Sequence, residues 1–254
     1  MKVGIVGKGG VGKTTVSALF AQAYRERGSR VVAIDTDSNP NLGISLGLSL
    51  QDTESIPALP RSVVVGQGSA DATAESLIGE YGRATPSGVT LLTAMRVDQA
   101  GAGCTCGSHA TVRSLLSEAI DEQADVTIID MEAGLEHLSR SGGTLAYADV
   151  LLVVMEPSRK SVITAARTMT LAEELGIPRV YGLGNKARAA DDAEFFRATA
   201  GEFGVPLAGV IPFADEVARA DRAGAGVATG PPAAVRVEID RVIDFLEKQL
   251  VATA

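Results

Sequence analysis

The chain has 254 residues, 46% of them hydrophobic and 21% charged, a globular composition long enough to bury a core without disulfides or metal staples. Its 31 acidic and 23 basic residues leave a formal charge of −8, which disfavours nucleic-acid binding through one broad basic face. The start, Met1–Gly7, is too short and glycine-interrupted for a signal peptide, and the longest unbroken apolar run, Val150–Met155, falls far short of the about 20 residues a membrane helix needs, so a soluble protein is expected.

In chain order, apolar, β-branched runs occur at residues 2–6, 30–34, 63–65, 89–93, 126–129, 150–155, 180–183 and 207–211. Most lack polar/apolar alternation, the pattern of strands buried on both faces of a parallel sheet. Residues 13–27, 111–122, 158–175, 191–203 and 234–250 read as amphipathic helices between them. The alternation predicts a doubly wound α/β fold, a mainly parallel sheet with helices on both faces, in one domain spanning residues 1–254. Residues 51–88, rich in Ser, Thr, Ala, Gly and Asp and punctuated by Pro57, Pro60 and Pro86, are expected to form a mobile excursion with one short strand and a short helix. The last helix mixes acidic and basic residues, as a solvated face does and a membrane anchor does not.

Gly7-Lys8-Gly9-Gly10-Val11-Gly12-Lys13-Thr14 fits G-x-x-x-x-G-K-[ST], between a strand and a helix as that motif requires. Glycines let successive N–H groups of residues 9–12 turn inward toward phosphate oxygens, and the helix start adds its positive dipole end. Lys13 then reaches the β- and γ-phosphates of ATP, the Thr14 hydroxyl ligates Mg²⁺, and Thr15 meets the α-phosphate. A second lysine, Lys8, makes the loop K-G-G-x-G-K-T. In this the chain resembles the MinD/ParA/nitrogenase-reductase class of P-loop ATPases with a deviant Walker A motif. The resemblance implies that Lys8 crosses a homodimer interface to the partner's nucleotide and acts like an arginine finger.

Val31–Asp35 runs into the acidic tip Asp35-Thr36-Asp37. A carboxylate beside a Mg–phosphate centre either activates the attacking water or holds a water of the metal. Asp37-Ser38-Asn39-Pro40-Asn41 resembles the first switch of the class, although the proline falls later than in many members. By that match Asp37 activates the water and Asp35 stands behind it near the Mg²⁺. Val126–Asp130 is a second apolar strand ending in an acid, a Walker B element whose carboxylate binds Mg²⁺. Gly134 completes D-x-x-x-G, and its N–H can meet the γ-phosphate.

Gly184-Asn185-Lys186-Ala187-Arg188 follows a further strand, and the Asn185 amide can pair with a purine edge. The guanine-reading N-K-x-D would need Asp at 188; Arg188 stands there, so adenine is favoured. Ile211-Pro212-Phe213 is a candidate second wall of the base pocket, with Pro212 counted among the nucleotide contacts, or else plain core and turn.

Two cysteines one residue apart are no secreted scaffold and suit a reducing cytoplasm. Gly103-Cys104-Thr105-Cys106-Gly107 in an extended segment puts both sulfurs on one side. Two thiolates are too few for Zn²⁺ or square-planar Ni²⁺, which take four ligands, and a symmetric dimer supplies four at its two-fold axis. His109 is a candidate third ligand or a surface residue, and His137 a structural or coupling one. With the run Asp130-Met131-Glu132-Ala133-Gly134-Leu135-Glu136-His137-Leu138, this C-x-C segment at 101–109 resembles the CooC-type ATPases that mature nickel carbon monoxide dehydrogenase. The resemblance spans nearly the whole chain. It implies an ATP- or metal-bound homodimer holding nickel, or zinc in the same site, for a client nickel enzyme. The competing readings are a partition or positioning ATPase and an iron–sulfur electron carrier. The first would call for a basic patch or basic amphipathic helix, and the second for cysteines from separate segments.

Overall fold

A computed structural model describes residues 1–60, 73–96, 112, 115–116, 120–133, 145, 147–227 and 230–251. In chain order the elements are β1 (Lys2–Gly7), α1 (Lys13–Glu26), β2 (Val31–Asp35), α2 (Leu42–Ser45), α3 (Leu50–Ser55), α4 (Ala74–Tyr81), β3 (Arg83–Ala84), β4 (Thr90–Thr93), α5 (Ile120–Gln123), β5 (Val126–Asp130), β6 (Val150–Met155), α6 (Arg159–Glu174), β7 (Val180–Ala187), α7 (Ala190–Glu202), β8 (Leu207–Pro212), α8 (Asp215–Arg222) and α9 (Ala233–Val251).

The strands form one sheet in the order β3-β4-β2-β5-β1-β6-β7-β8. Every pairing is parallel except β3 with β4. The continuous apolar runs follow from burial on both faces. On one side Val3, Ile5, Ile128 and Leu152 pack beneath α1 and α9 through Phe20, Tyr24, Ile239 and Ile243. Full burial of one such large apolar side chain stabilises by roughly 1.5–3 kcal/mol. On the other side Val6, Ile34, Ile129 and Val153 meet α4, α6 and α7 through Leu77, Val162, Met169 and Phe196. The doubly wound, mainly parallel architecture is therefore as expected. No helix among the described residues is long and apolar enough to cross a membrane.

β1 lies between β5 and β6, so the chain winds away from it in both directions. A crevice opens at such a switch point, at the carboxyl ends of the strands. Gly7, Asp35 and Asp130 end their strands there.

Several expectations shift. β7 runs to Ala187 and not Leu183, pairing irregularly with β8 at its end. Within residues 51–88 the chain forms α3, α4 and the two-residue antiparallel β3, while the strand expected at 63–65 lies outside the described residues. Helix α8 has no counterpart among the expected helices: it is eight residues long and mostly charged or alanine, with no fully buried residue, and only Val217 and Ala220 pack half-buried against the core. Of the helix expected over 111–122, only its end, α5, stands as an element within the described residues.

Candidate functional site

The turn from β1 into α1 is shaped by glycine. Gly7, Gly10 and Gly12 have φ of +146°, +81° and +96°. A Cβ on Gly7 would lie 2.5 Å from the Val154 carbonyl oxygen, and one on Gly12 would lie 2.6 Å from Asn185 Nδ2. Left-handed backbone and lack of space thus both call for glycine at the two ends of the loop. Helix α1 begins at Lys13 and points its amino end into the loop, the arrangement that binds anions.

Lys13 is 8% exposed, and its ammonium donates to the Lys8 carbonyl oxygen at 3.4 Å. Burial lowers its pKa, while Asp130, Asp37 and Glu132 act in the opposite sense. Lys8 is exposed.

Asp130 is buried at the end of β5. Ser17 donates its hydroxyl to Oδ1 at 2.9 Å, and Thr14 forms a second side-chain hydrogen bond to it. Ser17 stands one helical turn from Lys13 and Thr14, a relationship visible in the sequence only once the helix is placed. Burial raises the Asp130 pKa, and the bonds from Thr14 and Ser17 and the charge of Lys13 oppose that rise. Thr14 and Asp130 form a hard oxygen pair beside the loop, a donor set suited to Mg²⁺.

Asp35 is equally buried, and both of its oxygens are used: Oδ1 accepts from the Asp37 N–H at 3.0 Å and Oδ2 from the Leu42 N–H at 2.9 Å. Its pKa is raised by burial and by Asp130. Asp35 thereby fixes the turn that carries Asp37. Asp37 itself is partly exposed, and its Oδ1 accepts from the Asn39 N–H at 2.9 Å. The Ser38 hydroxyl donates to Glu132 Oε1 at 2.7 Å, joining the loops after β2 and β5. Nothing in the spacing of Ser38 and Glu132 announced that contact.

A cavity of about 520 Å³ extends from this loop. Gly9, Gly10, Gly12, Lys13, Thr14 and Thr15 line one end, Asp37 and Ala133 lie on its wall, and Asn185, Lys186, Pro212, Phe213 and Val217 complete it. Val11, counted with the loop in the sequence, is fully buried and does not line the cavity. The Arg188 guanidinium stacks 3.6 Å from the Phe213 ring centroid. Asn185 is 7% exposed and donates from Nδ2 to the Val11 carbonyl oxygen at 2.8 Å. Lys186 donates to the Gly10 carbonyl oxygen at 2.6 Å. The residue singled out for a purine edge is thus already bonded to the phosphate loop.

Gly134, Cys104, Cys106, His109 and His137 lie outside the described residues. Among the described residues, no group of three or more His, Cys, Asp or Glu side chains is arranged to hold a metal ion.

A glycine loop feeding a helix, with two buried strand-end acids at the switch point of a parallel sheet, defines a P-loop ATPase. Within that class the chain belongs to the CobQ/CobB/MinD/ParA nucleotide-binding domain family, which it matches over residues 4–227. It is 35% identical over 237 residues to the carbon monoxide dehydrogenase accessory protein CooC of Rhodospirillum rubrum, covering 88% of each chain. It is 31% identical over 260 residues, 98% of each chain, to an ATP-binding protein of Methanocaldococcus jannaschii. In fold it is similar to the septum site-determining protein MinD of Pyrococcus horikoshii in complex with Mg-ADP, with a TM-score of 0.74 and 19% identity, covering 100% of this chain and 98% of that one.

Proposed function

We propose that this ATPase is a metallochaperone: it dimerises with ATP and delivers nickel to a client metalloenzyme of the carbon monoxide dehydrogenase type. The observation that carries this reading is the 35% identity with CooC over 88% of both chains. The Cys104-Thr105-Cys106 motif supports it chemically, because soft thiolates suit Ni²⁺ or Zn²⁺ and two chains supply four.

Residues 1–254 act as one P-loop ATPase domain in this reading. Residues 9–12, Gly134 and Thr15 hold the phosphates with Lys13. Thr14 and Asp130 hold Mg²⁺, which neutralises charge on the β- and γ-phosphates, with Asp35 close behind. Asp37 positions the attacking water, and Lys8 reaches the nucleotide of the second protomer. Asn185, Lys186 and Pro212 line the cavity that takes the nucleotide, the first two beside the loop itself. The cell compartment is the reducing cytoplasm, where the thiols stay available for metal.

The test is metal analysis with an absorption spectrum of anaerobically purified protein. A chain carrying nickel or zinc without a visible iron–sulfur band supports the chaperone. A brown protein with four irons per dimer contradicts it. Relatives of other kinds, such as an iron–sulfur cluster carrier protein of Rickettsia felis at 27% identity, make that contrast the informative one.

A further inference from the structure

The geometry points to Asn185 and Lys186 as positioning residues that hold the phosphate loop in its anion-binding form, rather than as readers of the base. The inference rests on the proposed use of this loop for nucleotide phosphates.

A peptide unit has two ends. For the N–H groups of a loop to point inward at an anion, the carbonyls between them must point elsewhere and find donors. Here two successive carbonyls are met from one element. Gly10 O accepts from Lys186 Nζ at 2.6 Å, and Val11 O accepts from Asn185 Nδ2 at 2.8 Å. The peptide units after these carbonyls carry the N–H groups of Val11 and Gly12. Each donor therefore fixes the plane of one peptide and with it the direction of one N–H: the Val11 N–H is turned to the Lys8 carbonyl oxygen at 3.5 Å and closes the loop's turn, and the Gly12 N–H is the one the brace aims at an anion.

Three further features fit a brace. The first is Gly12, where a Cβ would sit 2.6 Å from Asn185 Nδ2, so the missing side chain is what admits that amide, while Lys186 Cε at 3.6 Å passes at ordinary contact distance. The second is Lys186, whose φ of 61° is the only positive value at a non-glycine residue among those described. An L-residue adopts that conformation at a cost, and here it lets two adjacent side chains reach the same loop. The third is burial: Asn185 is 7% exposed, so its amide is held in a fixed position between the loop and the cavity it lines.

A brace and a base reader predict different losses. A brace acts on anything that carries the phosphates, with or without a base. A base reader acts only on the nucleoside part.

The experiment is calorimetric titration of Mg²⁺-tripolyphosphate, which has no base, and of Mg-ADP into wild type, Asn185→Ala, Lys186→Gly and Lys186→Arg, with thermal midpoints recorded for each. Lys186→Gly removes the ammonium while easing the backbone conformation, so it remains informative should Asn185→Ala fold poorly. The expected result is a loss of at least about tenfold in affinity for both ligands in Asn185→Ala and about three- to tenfold in Lys186→Gly, with substantial recovery in Lys186→Arg. The ratio of the two affinities should stay near its wild-type value. Unchanged tripolyphosphate binding with weakened ADP binding in Asn185→Ala would overturn the brace and restore the base reader. Wild-type protein that binds neither ligand would remove the nucleotide reading, and this inference with it.

Discussion

Asp35 and Asp130 are register partners at the ends of the adjacent parallel strands β2 and β5, and both are almost wholly buried. Two carboxyls so placed cannot both ionise cheaply, which is why burial and mutual repulsion raise the Asp35 pKa. They divide the work around them. Asp35 spends its oxygens on the N–H groups of Asp37 and Leu42, while Asp130 turns to Ser17 and Thr14 at the start of α1. One acid shapes the loop after β2, and the other faces the start of α1 beside the phosphate loop.

That division bears on hydrolysis. Asp37→Asn should leave ATP binding intact and lower turnover by about 10²–10⁴, the usual contribution of a positioned base. Single-turnover phosphate release beside a binding titration checks it. Near-normal turnover would move the role elsewhere around Asp130.

The buried acid also sets a pH dependence. Asp130 is pushed up to about 6 from the ordinary carboxylate value, so between about pH 4 and 6 the folded protein binds its proton more tightly than the unfolded chain does. This contribution is fully present below the unfolded pKa and is lost as pH rises through the folded one. In nucleotide-free protein the melting temperature of Asp130→Asn should therefore gain on wild type, on the order of 5 °C, as pH rises from 4 to 7. A gap that shrinks over that range in thermal melts would show that the carboxyl is not the strained group.

Lys8 is exposed on its own protomer, in contrast to Lys13 at 8% exposure. Lys8→Ala should keep nucleotide binding through Lys13 and the backbone, yet lose ATP-driven dimerisation and most turnover. Light scattering with Asp37→Asn as the non-hydrolysing reference measures this. Equal dimerisation of the variant with ATP would exclude the cross-subunit role.

Much of this organisation was legible in the sequence because it is local. Val150–Met155 is an unbroken apolar run, and β6 occupies those same residues. The phosphate loop is eight consecutive residues, and Gly7 and Gly12 at its two ends are demanded both by φ and by contact. What escaped was either short of burial or distant in sequence. Arg83 and Ala84 are both exposed, so β3 left no pattern, and α8 is eight residues long with no fully buried side chain. Asn185 reaches Val11 across 174 positions, and Ser38 meets Glu132 across 94. Spacing rules carry no information about such pairs; only the sheet order that brings strand ends together does.

The most direct test of the metallochaperone account is anaerobic titration of Ni²⁺ into wild type and into the double variant Cys104→Ser, Cys106→Ser, with the oligomeric state followed alongside. The account predicts one ion per two chains, affinity that falls on acidification as protons compete for the thiols, and dimerisation strengthened by the ion. It also predicts that the double variant loses this binding while keeping ATP. One ion per monomer, undiminished in the double variant, would contradict it.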